Sequence, residues 1–206
     1  MVAIIDYGVG NLFSLLSSLK SIGADAIVTN SREEIRAAQR VILPGVGAFA
    51  DAARKLRETG MAEAVLEECA AGKPLLGICL GMQLLFEESL EYGVHRGLGL
   101  IPGTVRPIAE KIPPELKIPH IGWNALEISR PGGVLKYTKP GEHVYFVHSY
   151  WADTPDEFIT SRTEYGAMLT ASVQRGNVMG TQFHPEKSGR VGLDMLRAFC
   201  ETEAGA

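Results

Sequence analysis

The sequence predicts an α/β fold: an open, mostly parallel sheet with helices on both faces, extended by antiparallel strands in the second half. Two observations carry this expectation. Through the first half, short apolar runs alternate with amphipathic helical patterns, the spacing that builds strand–helix–strand units. From residue 101 to 183 the pattern changes to short strand-like runs separated by Gly and Pro turns, which suits antiparallel pairing.

Residues 2–7 form a short apolar run and read as a buried strand. Residues 11–22 place Leu12, Leu15, Leu16 and Leu19 on one helical face. Residues 26–29 give a second strand, and Ser31-Arg32-Glu33-Glu34 has the spacing of a capping box that opens a short helix. Residues 40–43 are the third strand, ending in Pro44-Gly45-Val46-Gly47. Helical stretches follow near 49–57 and 61–71, before Lys73-Pro74 breaks the chain ahead of a fourth strand at 75–78 and a helix over about 80–87. The second half gives strands at 104–108, 122–128, 144–149, 159–163, 167–174 and 178–183, closed by a helix over about 189–202. No repeat, low-complexity segment or long linker interrupts the pattern, so 1–206 is expected to form a single domain.

Composition narrows the function classes. A hydrophobic fraction of 46% suits a globular core rather than a disordered chain. The formal charge of −4, without a Lys/Arg cluster, leaves no electrostatic footprint for nucleic acid. No apolar run approaches the length that crosses a bilayer, and the N-terminus opens into a strand rather than a leader, so a cytoplasmic location is expected. The three cysteines, Cys69, Cys79 and Cys200, cannot all pair and form no C-x-x-C, so neither a metal site nor a cofactor is expected. Cys69 and Cys200 sit on apolar helical faces and read as buried thiols.

Cys79 differs. Leu75-Leu76-Gly77-Ile78-Cys79-Leu80-Gly81 is a buried strand running through G-x-C-x-G into a helix, the sequence of a nucleophile elbow. Glycines on either side let neighbouring backbone approach, and the turn presents the sulfur at a helix N-terminus, whose dipole favours the thiolate. The Leu80 N–H would face the same space. Read alone, the pattern fits a structural cysteine in a tight turn equally well. It needs a base. His184-Pro185-Glu186 ends the last strand, and alternate residues of extended chain project to one side. His184 could then accept the thiol proton while Glu186 fixes its tautomer. Singly, His184 also reads as a solvated strand-end histidine and Glu186 as a loop carboxylate. His95, His120, His143 and His148 lack a carboxylate two residues on.

Two glycine-rich turns remain. Pro44-Gly45-Val46-Gly47 could aim N–H groups at a developing oxyanion or be a plain strand-to-helix turn. Asp6-Tyr7-Gly8-Val9-Gly10 is not a dinucleotide loop, because Phe13 occupies the place of the third glycine.

With these pieces the chain resembles the class I (triad) glutamine amidotransferases, through Gly77-Ile78-Cys79-Leu80-Gly81-Met82-Gln83 and His184-Pro185-Glu186. Further motifs place it near the branch that supplies ammonia in histidine biosynthesis: Asp6-Tyr7-Gly8-Val9-Gly10-Asn11, Pro44-Gly45-Val46-Gly47-Ala48-Phe49, His120-Ile121-Gly122-Trp123-Asn124, Phe146-Val147-His148-Ser149-Tyr150 and Pro185-Glu186-Lys187-Ser188. The resemblance implies a flavodoxin-like sheet and a Cys79–His184–Glu186 triad that hydrolyses glutamine through a thioester. It implies an oxyanion hole from Val46, Gly47 and the Leu80 N–H, with a Val46–Gly47 peptide that reorients. Gln83, His148, Ser149 and Tyr150 would bind glutamine. The implied partner is a (β/α)8-barrel cyclase subunit, which makes imidazole glycerol phosphate and an aminoimidazole carboxamide ribonucleotide and faces Asn11, Trp123 and Lys187. From the residues alone, Asn11 also reads as a helix N-cap, Trp123 as core and Lys187 as a solvated cation. A partner-binding module with a dead site and a cysteine peptidase are the rival readings.

Overall fold

The computed structural model describes residues 1–203, so the last three residues of the expected domain, 204–206, lie outside it. The first half follows the predicted alternation. Strands β1 (Val2–Ile5), β2 (Ala26–Thr29), β3 (Arg40–Gly45) and β4 (Leu75–Cys79) run parallel in the order β2-β1-β3-β4. They are connected through α1 (Leu12–Ser21), α2 (Arg32–Ala37), α3 (Phe49–Glu58) and α4 (Met61–Ala70). Successive strand residues serve opposite faces, as a pleat requires. Ala3, Ile5, Val41, Leu43 and Leu75 join the core with Phe49, Leu56 and Val65 of α3 and α4. Val2, Ile4, Ile42, Leu76 and Ile78 join the other core, with Leu15 and Leu19 of α1. Both faces are covered, which is why these strands read as unbroken apolar runs.

The Ser31 cap forms in modified shape. Ser31 Oγ accepts from Glu34 N at 3.4 Å, but the Glu34 carboxylate turns to the Thr29 hydroxyl, and Thr29 Oγ1 takes the Ser31 N–H at 2.9 Å.

The helix expected over 80–87 stops after one turn, α5 (Leu80–Gln83). The chain then enters β5 (Phe86–Ser89), because the Leu84, Leu85 and Phe86 carbonyls accept N–H groups from Leu98, Leu100 and Gly99 at 2.8–3.0 Å. Tertiary pairing overrides the helical pattern. With β6 (His95–Arg96), β7 (Ile101–Pro107) and a strand further on, Tyr150–Asp153, it makes a separate four-stranded sheet. The run 122–128 also divides. β8 (His120–Ala125) and β9 (Glu127–Ile128) enter different sheets, with the fully buried Leu126 at the break. β8 pairs only with β10 (His143–His148), as a two-stranded antiparallel ribbon, and β11 is the Tyr150–Asp153 strand. β12 (Ile159–Glu164), β13 (Met168–Arg175) and β14 (Val178–Thr181) complete the main sheet in the order β2-β1-β3-β4-β14-β13-β12-β9. Its antiparallel extension is as predicted except at β14, which is parallel to β4 and brings the segment 182–186 beside the end of β4. α6 (Gly189–Cys200) closes the fold over the α1 face. No helix among the described residues is long and apolar enough to cross a membrane.

The turn from β4 into α5 depends on missing side chains. A Cβ on Gly77 would lie 2.7 Å from the Gly81 carbonyl oxygen, and one on Gly81 would run into the Leu43 carbonyl. Gly81→Ala should therefore lower unfolding free energy by about 2–3 kcal/mol. Gly23→Ala, at φ +78 in open space, should cost only about 1 kcal/mol of backbone strain. Urea unfolding of the two variants measures both.

Candidate active site

β3, β4 and β14 end side by side, and the segments beyond their C-terminal ends build one cavity of about 340 Å³, room for an amino acid. Cys79 ends β4 at φ 54 and ψ −112. Positive φ in a residue with a side chain is strained, and it persists because the glycine packing described above leaves the chain no other path. Its Sγ lies 3.9 Å from Val147 O and 3.8 Å from Gln182 Nε2. α5 is one turn long, so the helix dipole expected to favour a thiolate is small. The charge partner is His184.

His184 follows β14 in extended conformation, its N–H held by Tyr145 O at 3.0 Å. Glu186 does not continue the extension. Residues Pro185–Lys187 form a 3-10 turn, and the turn, rather than strand alternation, brings Glu186 Oε1 to 2.8 Å from His184 Nδ1. Both side chains are 3% exposed, so little solvent screens the pair. Burial pushes the His184 imidazolium down, but hydrogen bonding and charge from Cys79 and Glu186 together outweigh it and raise the pKa to about 9.

Val46, Gly47, Leu80, Gln83, His148, Ser149, Tyr150 and Lys187 all line the same cavity. Gly47 takes φ +96, and Val46 is 41% exposed. Gln83 is buried, and its amide N–H groups go to Gln182 Oε1 at 3.0 Å and Tyr150 O at 3.3 Å, forming the floor. The His148 ring is similarly committed, through Nδ1 to Tyr150 O at 2.8 Å and Nε2 to His120 Nδ1 at 3.0 Å. Burial, opposed by the Tyr150 carbonyl, takes its pKa down to about 4, which leaves His184 as the imidazole able to carry the proton.

Two residues escaped the sequence reading. Glu91 lines the cavity as a buried carboxylate whose Oε2 accepts the Phe49 N–H at 2.6 Å. It comes from an irregular loop, and no local pattern marks it. Gln182 stands two positions before His184 and touches the sulfur, a spacing that could have been noticed. Of the three residues expected to face a partner, Trp123 lines neither the cavity nor the gap beside it, whereas Lys187 and Asn11 do. Trp123 is 53% exposed on β8 and so is not core. Lys187 is exposed at the cavity wall, with Nζ 5.9 Å from the Tyr145 ring centre. Asn11 occupies the N-cap position of α1 without a side-chain capping bond and shares a small gap with Glu186.

The family model described as glutamine amidotransferase class-I matches residues 3–202. The chain belongs to this family. Relatives of this amidotransferase include the imidazole glycerol phosphate synthase subunit HisH of Bacillus cereus (strain G9842), 50% identical over 199 residues, covering 97% of this chain and 93% of the relative. The HisH subunit of Methanothermobacter thermautotrophicus is 50% identical over 202 residues, covering 98% of each chain. Among solved structures, a crystal structure of glutamine amidotransferase superposes with a TM-score of 0.76 at 22% identity, covering 98% of both chains. PurLQS from Thermotoga maritima gives 0.73 at 19% identity, covering 97% of this chain and 96% of that one. At such identities the structural likeness speaks for the fold, which is the predicted α/β class.

The His184–Glu186 geometry of this amidotransferase has a titration signature. Because the folded-state pKa is raised from 6.5 to about 9, the contribution of His184 to stability is complete below 6.5 and is lost as pH rises towards 9. NMR titration of His184 should show a midpoint near 9, falling towards 6.5 in Glu186→Gln. The melting temperature of the wild type should also fall more steeply than that of the variant across that interval.

Proposed function

We propose that residues 1–206 act as one glutaminase domain, the ammonia-producing subunit of an imidazole glycerol phosphate synthase in histidine biosynthesis, working in the cytoplasm. The observation that carries the chemistry is the strained Cys79 beside a buried His184–Glu186 pair at one end of an amino-acid-sized cavity. The pathway rests on about half identity, over nearly full length, to HisH subunits from bacteria and an archaeon.

The side-chain carboxamide of glutamine lies with its carbon against Cys79 Sγ. The Cys79 proton passes to His184, whose raised pKa of about 9 makes it a strong acceptor, as the sulfur attacks. The C–S bond forms as the carbonyl π pair moves onto oxygen, where the Leu80 N–H and the Val46–Gly47 peptide stabilise it. His184 then protonates the departing nitrogen, ammonia leaves and a thioester remains. A water, losing its proton to His184, hydrolyses the thioester to glutamate and returns the thiol. Glu186 keeps the His184 ring turned towards the sulfur throughout. Gln83 and residues 148–150 shape the substrate floor, and Glu91 meets the α-ammonium group of glutamine with the charge it requires. Ammonia passes to the cyclase subunit, which docks against Asn11, Trp123 and Lys187, and the Val46–Gly47 peptide reorients with that subunit's state.

Glutamate release by the chain alone should be slow, and it should rise strongly when the cyclase subunit and its nucleotide ligand are added. Cys79→Ala should abolish it while ammonium salts still support cyclisation in the complex. Strong release that ignores the cyclase would remove the pathway assignment. In the same assay Glu91→Gln should raise KM for glutamine at least about tenfold with a smaller change in kcat, because a uniform binding contact is lost.

A further inference from the structure

The hydroxyl of Tyr7 takes no part in the chemistry above, yet it is buried inside the machinery. Tyr7 lies just past the end of β1 and is 2% exposed. β1 pairs with β3 only as far as Ile4 opposite Ile42. Beyond that rung β3 keeps its neighbour on the other side, where Pro44 stands opposite Ile78 and Gly45 opposite Cys79. On the β1 side the ladder has run out. Pro44 has no N–H to satisfy, but its carbonyl still needs a donor. Tyr7 Oη supplies one at 2.8 Å, acting as one more rung between β1 and β3.

The same hydroxyl grips the next residue. A Cβ on Gly45 would lie 2.9 Å from Tyr7 Oη, 2.8 Å from Gly81 N and 3.0 Å from Leu80 Cβ. The space a side chain at Gly45 would need is therefore taken by the phenol and the elbow together, immediately before Val46 and Gly47. Burial, with the nearby charge of Cys79, holds the phenol well above its ordinary pKa, so it remains a hydrogen-bond donor at any working pH.

We infer that Tyr7 is a positioning residue for the oxyanion site, pinning the Pro44–Gly45 segment so that rotation is confined to the Val46–Gly47 peptide and its N–H meets the Leu80 N–H in one fixed geometry. The inference rests on reading Val46, Gly47 and Leu80 as the oxyanion donors. Donors of this kind act only when held in place before charge develops, so a loosened pivot is felt in the tetrahedral state and not in ground-state binding.

Tyr7→Phe keeps the ring and the core packing and deletes only the hydroxyl. In the complex with the cyclase subunit and its nucleotide ligand, kcat for glutamine hydrolysis should fall about tenfold while KM stays within about twofold. Glutamate γ-semialdehyde, whose open-chain aldehyde adds Cys79 Sγ and places a tetrahedral oxygen in the site, should lose affinity by the same factor. Ammonium-supported cyclisation in the variant complex should match wild type. The inference is overturned if kcat and semialdehyde affinity both stay at wild-type values, if only KM rises, or if ammonium-supported cyclisation falls in step. A wild type that binds the semialdehyde no better than glutamine would instead remove the oxyanion reading itself, and this inference with it.

Discussion

The backbone of Cys79 is the constraint on which the site depends. A residue with a side chain at φ 54 is unfavourable by itself, and here the cost is met by interlocking backbone. Gly77 and Gly81 approach each other across the turn, Gly81 lies against the Leu43 carbonyl, and Gly45 seats against the Gly81 N–H. The ends of β3 and β4 and the start of α5 are thereby locked at distances that no Cβ would allow. The sulfur inherits a fixed position, and so does the space in front of it. That rigidity fixes the sulfur and the Leu80 N–H relative to one another.

Around this point the polar side chains are almost fully committed to one another. Asn124 and His120, His120 and His148, and His148 and the Tyr150 carbonyl are linked at 2.8–3.0 Å. Gln83 joins the Tyr150 carbonyl to Gln182, which reaches the sulfur. Two neutral imidazoles bring two N–H groups to this row, which go to the Tyr150 and Asn124 oxygens at its ends, so the central His120–His148 contact is a hydrogen bond only when one ring gains a proton. Two imidazoles within one site behave oppositely. Burial lowers the pKa of His148 despite the Tyr150 carbonyl, whereas at His184 hydrogen bonds and charge from Cys79 and Glu186 outweigh the burial.

Much of this was legible in the residues. The first four strands and their helices announced themselves through uninterrupted apolar runs, since a sheet buried on both faces has no polar alternation to confuse with a helix. The elbow was legible because its glycines are needed for a geometric reason. What stayed hidden was set by distant partners. The run after Gln83 looks helical and becomes a strand because the segment 98–101 offers its N–H groups there. The direction of β14 could not be read locally, since a short apolar run pairs equally well either way, and the pairing with β4 decides it. Glu91 was invisible for the same reason. A carboxylate in a loop has no meaning until the fold carries it to the cavity. His184 and Glu186 were paired from their spacing, but the 3-10 turn that joins them differs from the extended chain that spacing suggested.

The β8–β10 ribbon belongs to neither larger sheet, and its pairing register has a mechanical consequence. Trp123 stands directly opposite Tyr145. Tyr145 holds the His184 N–H through its carbonyl, and its own N–H is held by Ser188 Oγ at 3.0 Å. Farther along the same strand, the Val147 carbonyl touches the sulfur. The ribbon thus carries an exposed indole on one strand and, on the other, the two carbonyls that meet the His184 N–H and the Cys79 sulfur. A displacement of the ribbon would alter the His184 and Cys79 contacts together.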